Sequence, residues 1–298
     1  MIAPAWQNGR IVELADARIA ATAPGVLRAR AVFDGCRLFV RGWGHRKRAF
    51  TISMSHHIAR LQASCDALGI HLAYTSSELV DAARVVIQLM QPHYDMGLRW
   101  FVSERENQSG SVGADVTVFA RSLHGYTKPR PYRLNFAKRA RWVGHGIPYS
   151  VKTMSHYAAS RTETLSAQQN GFDDCLFVNQ FGDVAETPRA NLIFVASNEL
   201  HSPRPEDGIL SGITCKSLRH VIGKHSTFRW CERRVSVSDL ASYTGALMLS
   251  SSLGVVPIER IGPFEYLTVA SRAVADLWHT AMLNPAQLFL TDIDEFDY

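Results

Sequence analysis

The feature that most constrains this chain is a break. Residues 122–134, Ser-Leu-His-Gly-Tyr-Thr-Lys-Pro-Arg-Pro-Tyr-Arg-Leu, are polar, hold two prolines and show no apolar period. Proline fixes φ and removes a backbone donor, so such a stretch neither continues a helix nor enters a central strand. It divides 298 residues, a length that suits two domains of common size. The expectation is a small N-terminal domain over 1–121, a linker over 122–134 and a larger C-terminal domain over 135–298.

Before the break, Gln7-Asn8-Gly9-Arg10 reads as an Asn-Gly hairpin turn. Residues 31–40 read as a buried strand interrupted at Gly35. A helix follows from about Ser55, with Ile58, Leu61, Cys65 and Leu68 at helical spacing and Gly69 ending it. Ser76 or Ser77 caps a second helix, with Glu78 in its first turn and Pro92 beyond its end. Strand-like runs at 98–103 and 116–120 complete a small α+β domain.

After the break, one lysine, Lys152, stands in an uncharged strand-like run, Ile147-Pro-Tyr-Ser-Val-Lys152-Thr. A helix follows over about 155–169, stopped by Asn170-Gly171. Strands at 175–179 and 192–196 bracket a tight turn and one acid, Glu186, in an apolar setting. A loop with Pro203 and Pro205 leads to Gly212-Ile213-Thr214, which opens another helix. Residues 247–257 read as strand-turn-strand around Ser250-Ser251-Ser252, and a closing helix covers 269–282.

Several function classes drop away on composition. No apolar run approaches the roughly 20 residues of a membrane span, and the N-terminus lacks the basic and apolar regions of a signal peptide. Five scattered cysteines without a Cys-x-x-Cys pair argue against a disulfide framework or a metal site and for reduced thiols in the cytoplasm. His56, His57, His145 and His156 form no ligand pattern and read as surface or linker residues. The net charge is +5 and the pI about 9.0. The basic patches, Arg41 to Arg48 and Lys138-Arg-Ala-Arg141, have only Trp43 and Trp142 for stacking. They suit an enzyme with anionic ligands better than a nucleic-acid partner.

A lysine and a glutamate placed this way suit pyridoxal phosphate chemistry. The amine forms a Schiff base with the cofactor aldehyde, and the carboxylate keeps the pyridine nitrogen protonated. Alone, the pair also fits an exposed strand lysine and a solvated acid. Gly212-Ile213-Thr214 offers a helix N-terminus for a phosphate, although a threonine there can equally be a simple cap. Arg60, beside the apolar stripe of its helix, carries a guanidinium fork that matches phosphate oxygens.

Lys152, Tyr157, Gly171-Phe-Asp-Asp, Gly182, Glu186 and Asn191-Leu-Ile-Phe together resemble the core signature of the class IV aminotransferase family, the fold-type IV pyridoxal phosphate enzymes. That family includes branched-chain and D-amino acid aminotransferases, R-selective amine transaminases and aminodeoxychorismate lyase. His56-His-Ile-Ala-Arg60-Leu-Gln-Ala-Ser64 and Phe33-Asp-Gly-Cys-Arg37 resemble two further family elements, so the likeness runs from about Gly35 to Pro257. It implies a two-domain α+β fold, with a small N-terminal α/β sandwich and a larger C-terminal domain around a β-barrel-like core, and a homodimer. It implies Lys152 as the catalytic amine and Glu186 at the ring nitrogen, with Tyr157 at the phenolic oxygen. Arg60, Ile213, Thr214 and Ser251 would hold the phosphate, and Arg37, Arg99 and Ser252 the substrate carboxylate. Either arginine could instead pair with structural acids. Departures cluster near the substrate: Leu27 to Arg30 replaces a Tyr-Gly, Ser155-His156 a Gly-Asn, and Cys215 an arginine; Thr187-Pro-Arg-Ala190 after Glu186 is closer to the lyase-like branch. Amino transfer between an amino acid and a keto acid is the leading reading. A lyase of the aminodeoxychorismate type is the rival, and a non-catalytic binding protein the third.

Overall fold

The computed structural model describes residues 3–42, 48–106, 112–123, 130–283 and 293–296. The basic run Arg41 to Arg48 and the expected linker therefore lie partly outside the described residues. Packing divides the chain into a first unit, Met1–Thr127 with Val151–Ser155 and Leu290–Tyr298, and a second, Lys128–Ser150 with His156–Phe289. The mid-chain boundary falls within 122–134. Two pieces depart from the sequence expectation: the segment carrying Lys152 and the chain's last residues both pack with the first unit.

The first unit contains β1 (Pro4–Gln7), β2 (Arg10–Glu13), the one-turn helix α1 (Pro24–Leu27), β3 (Ala31–Arg41), β4 (Arg48–Ile52), α2 (Met54–Ala67), α3 (Ser76–Met90), β5 (Met96–Glu106) and β6 (Val112–Ser122). The second contains β7 (Tyr132–Phe136), α4 (Met154–Gln169, whose first two residues group with the first unit), β8 (Asp174–Leu176), β9 (Asn191–Ala196), β10 (Glu199–Ser202), α5 (Ile213–His225), β11 (Arg229–Glu232), β12 (Gly245–Ser250), β13 (Gly254–Ile261), β14 (Phe264–Glu265) and α6 (Thr268–Leu283). A last strand, β15 (Ile293–Phe296), pairs back onto β4.

The first unit's sheet is antiparallel, in the order β15-β4-β3-β5-β6-β1-β2. Asn8 and Gly9 both take positive φ (51° and 87°), as the β1–β2 hairpin turn requires. Along β5, Met96, Leu98, Trp100 and Val102 are buried on one face, and the Trp100 indole donates to Leu79 O of α3. Gly97, Arg99 and Phe101 take the other face by period-two alternation. The expected interruption at Gly35 is absent: β3 runs straight through, with Gly35 opposite Arg99. A Cβ at Gly35 would lie 2.5 Å from Leu98 O, so the glycine permits close strand approach rather than ending the strand. The cap of α3 is Thr75, one residue before the expected serines. Its hydroxyl accepts from Glu78 N while the Glu78 carboxylate accepts from Thr75 N.

The second unit's sheet runs β11-β10-β9-β12-β13-β7-β8, with β14 on β13. Three of its pairings are parallel: β10 with β11, β13 with β7, and β7 with β8. Tyr132 to Leu134, read as linker, belong to β7, because Leu134 is fully buried beside Leu176, Ile258 and Ile261. Leu192, Phe194, Ala246, Met248 and Val256 continue that core.

Candidate active site

In the first unit, β4 pairs with β3 only from Leu38 onward, which leaves the edge of Ala31–Phe33 to another segment. Lys152 and its neighbours take it. Phe33 N donates to Lys152 O at 3.1 Å, Val32 bridges Thr153, and Thr153 Oγ1 donates to Ala31 O at 2.9 Å. Lys152 N donates to Ser64 Oγ at 3.1 Å. The strand expected here is thus a single bridge, yet the Lys152 backbone is held on both sides. Its Nζ lies 5.1 Å from the centre of the Phe33 ring, and the Arg99 guanidinium lies 4.8 Å from the same ring.

On the opposite face of β3, the fully buried Asp34 carboxylate accepts from Arg60 Nε (2.7 Å) and Nη2 (2.9 Å) and contacts His57 Nδ1 at 2.7 Å. Burial pushes the Asp34 carboxyl up, but Arg60 and then His57 outweigh it and hold it well below the usual carboxylate range. His57 is buried, which corrects its reading as a surface or linker residue. Burial drives its ring toward the neutral form against the pull of Asp34, so Nδ1 carries the proton donated to that carboxylate. Arg60 is mostly buried, as its place beside the apolar stripe suggested. Arg37 is paired with a structural acid: its Nε lies 3.2 Å from Asp95, which also takes Arg41 Nη1 (2.7 Å) and Val40 N (2.9 Å).

In the second unit, Glu186 follows the Asn179–Gly182 turn, where Gly182 has φ 85°. Its setting is charged rather than apolar. Oε1 accepts from Arg141 Nη1 at 2.8 Å and Oε2 from Asn191 Nδ2 at 2.7 Å. The Arg141 guanidinium lies against the Tyr149 and Phe177 rings (4.6 and 4.8 Å) and also donates to Gly208 O at 2.8 Å. Asn191 Nδ2 also donates to Leu210 O at 2.8 Å, and Cys215 Sγ lies 3.6 Å from Asn191 Oδ1. Burial, then the nearby Glu186 and Glu232, push the Cys215 thiol up, so it stays protonated and unreactive. Sequence reasoning gave Arg141 and Asn191 no role. Nothing in the spacing of Lys138-Arg-Ala-Arg141 marks its last member, whereas Asn191 opened a quoted signature and was findable there.

The α5 N-terminus begins at Gly212, which has no side chain to cap the first amides. Thr214 Oγ1 lies 3.4 Å from Ser251 Oγ, so two expected phosphate ligands meet beside that helix end. Ser251 and Ser252 occupy the β12–β13 turn, with Ser252 exposed and its Oγ 3.3 Å from Ser250 Oγ. Tyr157 is half-buried near the start of α4, where its carbonyl accepts from Ser160 Oγ. Among the described residues no cluster of three or more metal-ligating side chains occurs.

The profile of the amino-transferase class IV family matches residues 31–261. Probable branched-chain-amino-acid aminotransferases from Rickettsia bellii and Aquifex aeolicus are 25% and 22% identical over 263 residues each. Those matches cover 86% of this chain and 86% and 84% of theirs. Among solved structures, the branched-chain aminotransferase of Thermoproteus uzoniensis with norvaline superposes with a TM-score of 0.89 at 21% identity, over 99% of both chains. That of Thermobaculum terrenum in its PLP form gives 0.90 at 19% identity, over 100% of this chain and 99% of that one. At such identities the superpositions establish the shared fold.

Proposed function

The chain belongs to the class IV amino-transferase family and is an aminotransferase, and we propose that it uses pyridoxal 5′-phosphate to move the amino group of a branched-chain α-amino acid to a keto acid. The carrying observation is the Glu186 carboxylate, buried and gripped through both oxygens by Arg141 and Asn191. An anion fixed in this way suits the protonated nitrogen of a pyridine ring, and the uncapped α5 end with the Thr214 and Ser251 hydroxyls suits a phosphate. The residues therefore fit the cofactor. Branched-chain substrates are supported by the names of the relatives, which also favour amino transfer over the lyase reading.

When bound, the cofactor supplies an electron sink for the pair released at the substrate α-carbon. The chain's own groups do the rest. Lys152 supplies the amine that holds the cofactor, then carries the proton to and from the α-carbon. Glu186 would accept the ring N–H, and Tyr157 would meet the phenolic oxygen. Arg60, Thr214, Ser251 and the Ile213 amide would bind the phosphate, and Asp34 fixes the Arg60 fork. Arg99 and the turn at Ser252 receive the substrate carboxylate. Arg37 is engaged by Asp95 and has the smaller share of that task. A cytoplasmic homodimer completes the proposal, on the family's pattern. Among the described residues no helix is long and apolar enough to cross a membrane.

The test is amino transfer from leucine or valine to 2-oxoglutarate by the visibly coloured enzyme. Lys152→Ala should lose colour and turnover together. Unchanged turnover in that variant, or pyruvate release from aminodeoxychorismate with no keto acceptor, overturns the reading.

A further inference from the structure

Two rungs of hydrogen bonds tie Glu186 to the segment that leads into α5. Glu186 Oε1 meets Arg141 Nη1, which also donates to Gly208 O; Glu186 Oε2 meets Asn191 Nδ2, which also donates to Leu210 O. Both amide hydrogens of Asn191 therefore have acceptors, and Oδ1 faces the Cys215 thiol, so the side-chain orientation is dictated. Two residues beyond Leu210, Gly212 begins the helix end assigned to the phosphate. A Cβ there would overlap Asn191 Oδ1, so the glycine leaves room for this one side chain.

Resting on the cofactor reading above, we propose that Asn191 is a positioning residue that fixes the separation between the acid at the ring nitrogen and the helix end at the phosphate. Its amide hydrogens go to Glu186 and Leu210 O rather than to a ligand. Its amide joins the two anchors, so both ends of one ligand can bind together without reorganisation. Preorganisation of this kind raises the affinity of the joined ligand above what its fragments show.

The experiment compares three probes on the apo enzyme: pyridoxal phosphate, pyridoxal without phosphate, and inorganic phosphate. Asn191→Ala should weaken pyridoxal phosphate binding about tenfold to a hundredfold, as for loss of a hydrogen bond to a charged group. Pyridoxal and phosphate singly should change by less than about threefold, because Arg141 still holds Glu186 and the α5 end is untouched, so mainly their spacing is lost. Asn191→Leu, which fills a similar volume without the amide, should give the same pattern if Asn191→Ala folds poorly. Equal weakening of all three probes would show a merely structural role, and unchanged pyridoxal phosphate binding would show none; either overturns the proposal. A wild-type enzyme that never colours with pyridoxal phosphate removes the cofactor reading itself and this inference with it, a result distinct from both.

Discussion

A carboxylate that must stay ionised inside a protein needs partners, and Glu186 has a cation on one oxygen and an amide on the other. Glu186→Gln keeps the shape and removes the charge. It should leave the cofactor attached at Lys152 while kcat falls about 10²- to 10³-fold, the usual loss when one electrostatic partner of a transition state is removed. Steady-state rates beside the absorbance spectrum check this; an unchanged kcat contradicts it. Asp34 and His57 carry a second residue-scale prediction. The folded Asp34 titrates below its ordinary 3.8, and the folded His57 below its ordinary 6.5. The unfolded chain therefore binds more protons in both windows. Both groups contribute stability that is complete above about pH 6.5 and is lost as pH falls, first through the His57 window and then below 3.8 through that of Asp34. Unfolding midpoints at stepped pH should show that decline, and a flat profile down to pH 4 contradicts it. Asp34→Asn should cost about 3–5 kcal/mol at pH 7, because it leaves Arg60 without its buried counter-charge. At this scale Lys152, Glu186, Thr214 and Ser251 stood out as candidates because each stands in a signature. Arg141 and His57 did not, because their partners lie 45 and 23 residues away and local pattern carries no trace of them.

Elements with a strong local code were read correctly, and those coded by distant partners were not. The Asn8-Gly9 hairpin turn, the spaced apolar residues of α2 and the Glu78 first turn of α3 appear where the sequence placed them. The strands β10 and β11 went unread, because a parallel pair of four-residue strands has no turn between its members. The start of β7 hid behind two prolines that precede it. Gly35 was misread because strand glycines serve both as breaks and as places of close approach. Gly35→Ala should push β3 and β5 apart at Leu98 O and lower stability by about 1–3 kcal/mol, read as a shift in unfolding midpoint. Thr75→Ala should cost about 1 kcal/mol through the lost capping box of α3. A midpoint unmoved by either change would contradict the role given to that residue.

At the scale of the molecule, the polar stretch at 122–134 suggested two units, and packing groups the chain into two units whose ranges meet at Thr127 and Lys128. Composition could not show that Val151–Ser155 and the terminal strand join the first unit, since pairing across such sequence distances is decided by shape. The assignment of Lys152 to that short segment, with its backbone held by Phe33 and Ser64, is the foundation of the functional account. Borohydride reduction of the coloured enzyme, followed by peptide mapping, tests it most directly. The account predicts a pyridoxyl adduct on the peptide containing Lys152 and on no other lysine; an adduct on Lys138 or Lys216, or none anywhere, would contradict it.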